Sequence, residues 1–327
     1  MTFNPAAYVL TASEMLERKK ARDKFVKENG HLALEFPVEG LEKKIPPIHV
    51  GEVGILGAGS HHGKSLFLKH WIFQAQKKLS DSKTRAVIGY VSHEDTGEMT
   101  AQQQLKKYGG NETEFADDLF VYVGRSFGMK AEDIAELYMS NIIRSLEFAR
   151  KDKFAEPMPF SAIAYDFIQK TPPDPERRKM VSDMQRRLQL ADDSKRISDA
   201  AVYFTCPILV AAQTGLKKLN SAYSAEMLIP GDGDFEEAKE IYQYADHAIT
   251  AWLPRLDKPV GTKIESGNWN FTVTDNLFFI RSIKSRYCDP HEWPGVGKVY
   301  PLHIQDDGSF TYDPDFHKSI YLKPVTK

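Results

Sequence analysis

Residues 51–65 read Gly-Glu-Val-Gly-Ile-Leu-Gly-Ala-Gly-Ser-His-His-Gly-Lys-Ser, and the LFLKHWIFQAQKK that follows is helical in pattern. A short apolar run, a glycine-rich loop and a helix start are what a phosphate cradle requires. Loop N–H groups and the helix N-terminus surround the oxygens, while a lysine and a hydroxyl at the helix start reach the outer phosphates and a Mg²⁺ ion. On this spacing Ala58, Gly59, Ser60, His61, His62, Gly63, Lys64 and Ser65 form the cradle, with Lys64 on the β- and γ-phosphates and Ser65 on the metal. Ala58 stands where the strict motif has its first glycine. His61 and His62 are adjacent and lack a third ligand, so they read as exposed loop residues rather than a metal site. ATP and Mg²⁺ are the cofactors that this chemistry implies.

Further chemistry sits where three apolar runs end. Ser161-Ala162-Ile163-Ala164-Tyr165 runs into Asp166, a carboxylate placed to become the second magnesium ligand. Ala86–Val91 runs into Ser92-His93-Glu94-Asp95, where Glu94 is the candidate base that orients an attacking water and Asp95 the alternative. A helix N-cap is the ordinary use of either. Ile208–Ala212 runs into Gln213, whose amide can sense a γ-phosphate.

These residues need a scaffold that brings strand ends together. Apolar runs at Val53–Leu56, Ala86–Val91, Leu119–Val123, Ser161–Asp166, Ile208–Ala212, His247–Trp252 and Leu277–Lys284 read as strands. Helices are expected at Lys64–Lys78, Glu98–Tyr108, Ala131–Lys151 and Lys179–Phe204. The alternation predicts an α/β fold, a mostly parallel sheet with helices on both faces. Val299–His303 and Phe310–Tyr312 then finish a short antiparallel C-terminal edge. Ahead of the core, Thr11-Ala12-Ser13-Glu14 has capping-box spacing and opens a charged helix with a thin apolar stripe of Met15, Leu16, Ala21, Phe25 and Val26. That helix either lies on its own domain or is an arm that docks on a neighbouring subunit. The expected organisation is an N-terminal arm and linker over 1–48, an ATPase domain over 49–290 and a C-terminal edge extension over 291–327.

Composition narrows the classes. In 327 residues, 43 basic against 45 acidic side chains give a net charge of −2, so no overall positive field marks a nucleic-acid partner and any such binding is local. Cys206 and Cys288 have neither zinc nor disulfide-framework spacing. No leader pattern and no run near the ~18 apolar residues of a spanning helix is present, so a cytoplasmic protein without membrane contact is expected.

The order of P-loop, Ser92-His93-Glu94, Asp166-Phe167-Ile168-Gln169, strand-end Gln213, Ala245-Asp246 and Lys284-Ser285-Arg286 resembles the ATPase domain of DnaB-type hexameric replicative helicases, within the RecA-like class. The likeness runs from about Gly40 to Pro290. It implies a RecA-like core, a homo-oligomer of hexamer type, and Lys284 and Arg286 reaching the ATP of the adjacent subunit. An arginine finger supplied in this way contributes ~10³–10⁵ in turnover. The resemblance also implies that the connection after Asp166 faces a central channel. There Arg177, Arg178 and Lys179, with Lys217 and Lys218 beyond Gln213, pair with phosphates of single-stranded DNA, or else form solvated faces. Departures are Thr214-Gly215-Leu216 where the family has an arginine, a loose acidic motif before Ala245, and no room for an N-terminal primase-binding domain. Loading and contacts with replication proteins are therefore expected to differ. The expected function is an ATP-driven ring motor on single-stranded DNA, a helicase of replication. The alternatives are a RecA- or KaiC-like ATPase that forms filaments or rings without unwinding, and a nucleotide-dependent adaptor on DNA or protein.

Overall fold

In β1 (Val53–Ala58), Val53 and Ile55 belong to one buried cluster and Leu56 and Ala58 to another. In β5 (Ile208–Gln213), Ile208, Val210 and Ala212 are likewise divided from Leu209 and Ala211. Strands covered on both faces cannot show polar alternation, which is why these segments read as unbroken apolar runs.

The computed structural model describes residues 11–13, 15–17, 20–21, 24, 33–82, 85–107, 109–112, 120–154, 156–175, 183–215, 229–231, 234–235, 239–266, 269–286 and 293–320. The other strands of the main sheet are β2 (Val87–Ser92), β3 (Phe120–Gly124), β4 (Phe160–Asp166), β6 (His247–Trp252), β9 (Leu277–Ser285), β10 (Val299–Ile304) and β11 (Phe310–Tyr312). Their order is β11-β10-β9-β6-β1-β5-β4-β2-β3. Pairing is parallel from β3 to β6 and antiparallel from β6 through β11. The expected mostly parallel sheet with an antiparallel C-terminal edge is therefore what forms.

One face is covered by α1 (Lys64–Ser82) through Phe67, Leu68, Trp71 and Ile72. The other is covered by α4 (Met139–Asp152) and α5 (Asp183–Phe204). Three rings fix α1 in place: Phe36 packs edge-on to Trp71 at 5.2 Å, and Phe310 and Phe278 meet Phe67 at 4.9 and 5.7 Å. Burying each such ring contributes about 1.5–3 kcal/mol. Helix α2 (Gly97–Lys107) follows β2, and α3 (Ala131–Ala135), α6 (Lys239–Tyr244) and α7 (Pro314–Ser319) are short.

Three features differ from the sequence pattern. The single helix expected over Ala131–Lys151 is broken before α4, because Tyr138 takes an extended conformation as its N-cap. Asn141 Nδ2 then donates to the Glu136 carbonyl at 3.0 Å and satisfies the interrupted turn. A hairpin of β7 (Lys263–Ser266) and β8 (Trp269–Thr272) forms where no element was expected. Its Ile264, Trp269 and Phe271 pack with Trp252 and Phe279, a tertiary stabilisation that strands of four residues do not display locally. Residues 33–48 join the core, burying Leu34, Phe36, Val38, Leu41, Ile45 and Ile48. The described residues of 11–24 are instead exposed, with Met15 at 54% and Leu16 at 51%.

Candidate nucleotide-binding site

Parallel register decides which residues meet. Ala58 pairs with Gln213 and Ser92 with Asp166, so the loops after β1, β2, β4 and β5 leave the sheet at one edge. Ligands of open α/β sheets bind at this carboxyl edge. A cavity of about 540 Å³ lies there, lined by Ser60, His61, Gly63, Lys64 and Ser65 of the loop and by Glu94, Asp95, Phe167 and Gln213.

The loop runs from β1 into α1 as expected. Gly63 takes φ +78°, and a Cβ there would meet the Phe278 ring at 3.1 Å, so both backbone and space call for glycine. Lys64 is 7% exposed and its Nζ donates to the Gly59 carbonyl at 2.9 Å, folded back over the loop. Burial pulls its pKa below the ordinary lysine value, against the raising influence of Asp166 and Glu94. The expectation of two exposed histidines holds for His61 and fails for His62. His62 is 2% exposed, and its Nδ1 accepts a hydrogen bond from the Leu253 N–H at 3.2 Å. Burial lowers its pKa, so a neutral ring ties the loop to the end of β6. Adjacent loop residues point different ways, and His62 is the one that meets a backbone donor.

Asp166 is fully buried. Its Oδ2 accepts from the Tyr90 hydroxyl at 2.9 Å, while Oδ1 has no hydrogen-bond partner among the described residues. Burial raises its pKa, against the lowering influence of Ser65, Tyr90 and Lys69, with Glu94 adding to the rise. At the end of β2, Ser92 Oγ accepts from the N–H groups of Glu94 and Asp95 at 3.2 and 3.1 Å. This turn separates the two carboxylates. Asp95 pairs with Lys69 of α1, which also donates to Gln103, whereas the Glu94 side chain is exposed within the cavity. The geometry thus leaves Glu94, and not Asp95, available to a ligand.

Gln213 is clasped through its backbone. Gln169 Nε2 donates to the Gln213 carbonyl at 2.9 Å, and the Gln213 N–H donates to Gln169 Oε1 at 3.1 Å, leaving the Gln213 side chain at the cavity. Arg186 of α5 donates to the carbonyls of Gln169 and Thr171. Beside it, His93 Nε2 bonds the Tyr165 hydroxyl at 2.8 Å, and that hydroxyl bonds Thr171 Oγ1 at 2.7 Å. Both chains of contacts end at the root of the segment that carries Arg177, Arg178 and Lys179. Those three residues, and Lys217 and Lys218, lie outside the described residues.

Lys284 and Arg286 are not brought to this site. Ala248 pairs with Lys284 at the start of β6, and the Asp246 N–H donates to the Val53 carbonyl at 2.8 Å at the far end of β1. Five residue steps of β1 separate that end from Ala58, about 16 Å at a strand rise of ~3.3 Å. Lys284 Nζ donates to the Tyr242 carbonyl at 2.7 Å, and the Arg286 guanidinium to Asp246 Oδ1 and the Gln243 carbonyl, both at 3.4 Å. Burial lowers the Lys284 pKa, helped by Arg286 and opposed by Asp246.

The donor set fits a magnesium nucleotide. Among the described residues a buried Asp166 oxygen is without a partner, and the Ser65 hydroxyl acts on the same carboxylate; such a pair would suit a Mg²⁺ ion whose shell phosphate oxygens and water complete. Among the described residues no cluster of three or more His, Cys, Asp or Glu side chains offers another metal site, and no helix is long and apolar enough to cross a membrane. The contributors to the cavity that were not singled out in the sequence are Leu66, Lys69, Gln103, Gln104 and Lys106 on helix faces, and the Asp306–Gly308 turn between β10 and β11. The Asp-Asp-Gly signals a turn, but its place beside α1 follows only from the sheet order. No protein-family model matches the chain and no curated protein matches its sequence. Among solved structures, the ATPase domain of G40P aligns with a TM-score of 0.56 at 13% identity, covering 81% of this chain and 86% of that one. A DnaB-like replicative helicase, solved in a study of its interactions with primase, aligns at 0.57 and 12% identity, and the match spans 58% of its length. The chain therefore has the fold of the ATPase domain of DnaB-like helicases, reached with little sequence in common.

Proposed function

We propose that the protein is an ATP-hydrolysing motor that works as a ring of copies on single-stranded DNA, a helicase of the replicative kind. Lys64 and the loop N–H groups hold the triphosphate, and Ser65 and Asp166 hold Mg²⁺, which neutralises charge developing on the phosphates. Glu94 orients and deprotonates the attacking water, and Gln213 contacts the γ-phosphate. Lys284 and Arg286, too far from their own loop, serve the site of the next copy. The exposed Met15 and Leu16 fit an arm that docks on that copy.

The observation that carries this reading is the pair of hydrogen-bonded paths from the nucleotide side to residues 169–171, which precede the basic residues in the chain. Gln213 through Gln169 and Arg186, and the Glu94 turn through His93 and Tyr165, converge on residues 169–171. A binding protein without mechanical output has no need of that connection. The test combines ATP turnover with and without single-stranded DNA, displacement of a strand from a forked duplex, and negative-stain imaging with a non-hydrolysable ATP analogue. Rings, DNA-stimulated turnover and displacement are expected. Absence of both stimulation and displacement at every protein concentration refutes the motor, and filaments without unwinding select a recombinase-like ATPase instead.

A further inference from the structure

The cavity extends beyond what a phosphate cradle needs. Glu94, Phe167 and Gln213 mark its γ-phosphate end, and the rest of its wall is Leu66 and Lys69 of α1, Gln103, Gln104 and Lys106 of α2, and the Asp306–Gly308 turn. A triphosphate anchored at Lys64 and Ser65 lays its nucleoside across α1, between α2 and that turn. This step rests on the nucleotide reading given above. Asp306, exposed on the turn, repels phosphate and so reinforces the same orientation.

On the α2 wall, Gln104 is 1% exposed, and among the described residues neither its Oε1 nor its Nε2 has a hydrogen-bond partner. Its neighbour Gln103 is engaged by Lys69. Thr100, one turn earlier on the same helix, is equally buried with an unpartnered hydroxyl. Buried polar groups are nearly always bonded, and an unmet amide is costly in the interior. Gln104 lines the cavity with both amide atoms covered and unpaired, so a turn of the side chain is what presents them to a ligand.

We propose that Gln104 reads the base edge of the bound nucleotide and favours adenine. A planar amide presents an acceptor beside a donor. On the edge that carries N7, adenine answers with an amino donor beside a ring-nitrogen acceptor, whereas guanine offers two acceptors, N7 and O6, and leaves Oε1 unmatched. Discrimination requires this edge, because the O6 and N1–H edge of guanine would satisfy the amide equally.

The test uses Gln104→Met, which keeps the side-chain length and removes both polar atoms. Dissociation constants for ATP, GTP and inorganic tripolyphosphate are measured for wild type and variant, with the thermal midpoint of each free protein. ATP affinity should fall about 10- to 100-fold, the weight of two neutral hydrogen bonds. Tripolyphosphate affinity should hold, the preference for ATP over GTP should shrink towards one, and the midpoint of the free variant should not fall. An unchanged ATP-to-GTP ratio, or an equal loss for tripolyphosphate, overturns the inference. If Gln104→Met does not fold, Gln104→Leu, which is also uncharged and lacks both polar atoms, carries the same comparison. Wild-type protein that binds neither ATP nor tripolyphosphate would remove the nucleotide reading itself, an outcome distinct from a base-blind but tight site.

Discussion

The two carboxylates after β2 allow a double test, because the structure gives them opposite surroundings. Lys69 is 4% exposed and its ammonium meets Asp95 and Gln103, with the Asp95 side chain 17% exposed. Removing one partner of a buried pair costs about 3–5 kcal/mol. In Asp95→Asn the new amide would still offer one acceptor and Gln103 another, which brings the expected cost down to about 2–3 kcal/mol. At roughly 2–4 °C per kcal/mol for larger domains, the unfolding midpoint of this variant should fall by about 4–12 °C. Glu94 is exposed and makes no such pair among the described residues, so Glu94→Gln should change stability by no more than about 0.5 kcal/mol. In single-turnover hydrolysis at a temperature where both variants are folded, the ranking reverses. Glu94→Gln should lose about 10²–10⁴ in rate, the usual contribution of a positioned base, with ATP affinity kept. Asp95→Asn should stay within about tenfold of wild type, since it perturbs the scaffold and not the reacting water. A stable but inactive Asp95→Asn, or a Glu94→Gln that hydrolyses normally, would show that the roles have been assigned the wrong way round.

Other outcomes follow from the same geometry. Burial pushes the Asp193 carboxyl up to about 6 from an ordinary 3.8, against Gln189, Arg186 and Arg196. The folded state then holds the proton more tightly than the unfolded chain, so stability is lost as pH rises from 3.8 towards 6, by up to about 3 kcal/mol. Asp193→Asn should therefore melt above wild type at pH ~7.5 and level with it at pH ~4, as read by calorimetry. Arg286→Ala should leave the melting of the free chain nearly unchanged while reducing turnover by ~10³–10⁵. Mixing it with Lys64→Ala protein should restore hydrolysis, since each supplies what the other lacks; no recovery would place Arg286 outside the neighbour's site. Gln169→Leu, which cuts the clasp on Gln213, should abolish the stimulation of ATP turnover by single-stranded DNA and leave ATP affinity intact.

What the sequence by itself determined is whatever is local or periodic. The glycine-rich loop between a run and a helix, the acidic ends of β2 and β4 and the amide end of β5 were legible because strand ends need only apolar runs and their boundaries. The order of motifs also pointed to the fold that the chain adopts. Tertiary structure decided everything that depends on which neighbour lies across a gap. It separated Glu94 from Asp95 by placing Lys69 beside only one of them, and it turned His62 inward onto the Leu253 N–H. The hairpin at Lys263–Thr272 exists because Trp252 and Phe279 offer its rings a surface. Gln104 and the Asp306–Gly308 turn entered the cavity because α2 and β10–β11 flank α1, contacts across some two hundred residues. Spacing along a chain records what a residue's own element needs. Burial, unmet hydrogen bonds and cavities are properties of pairs of elements, and these arise only when the sheet order is set.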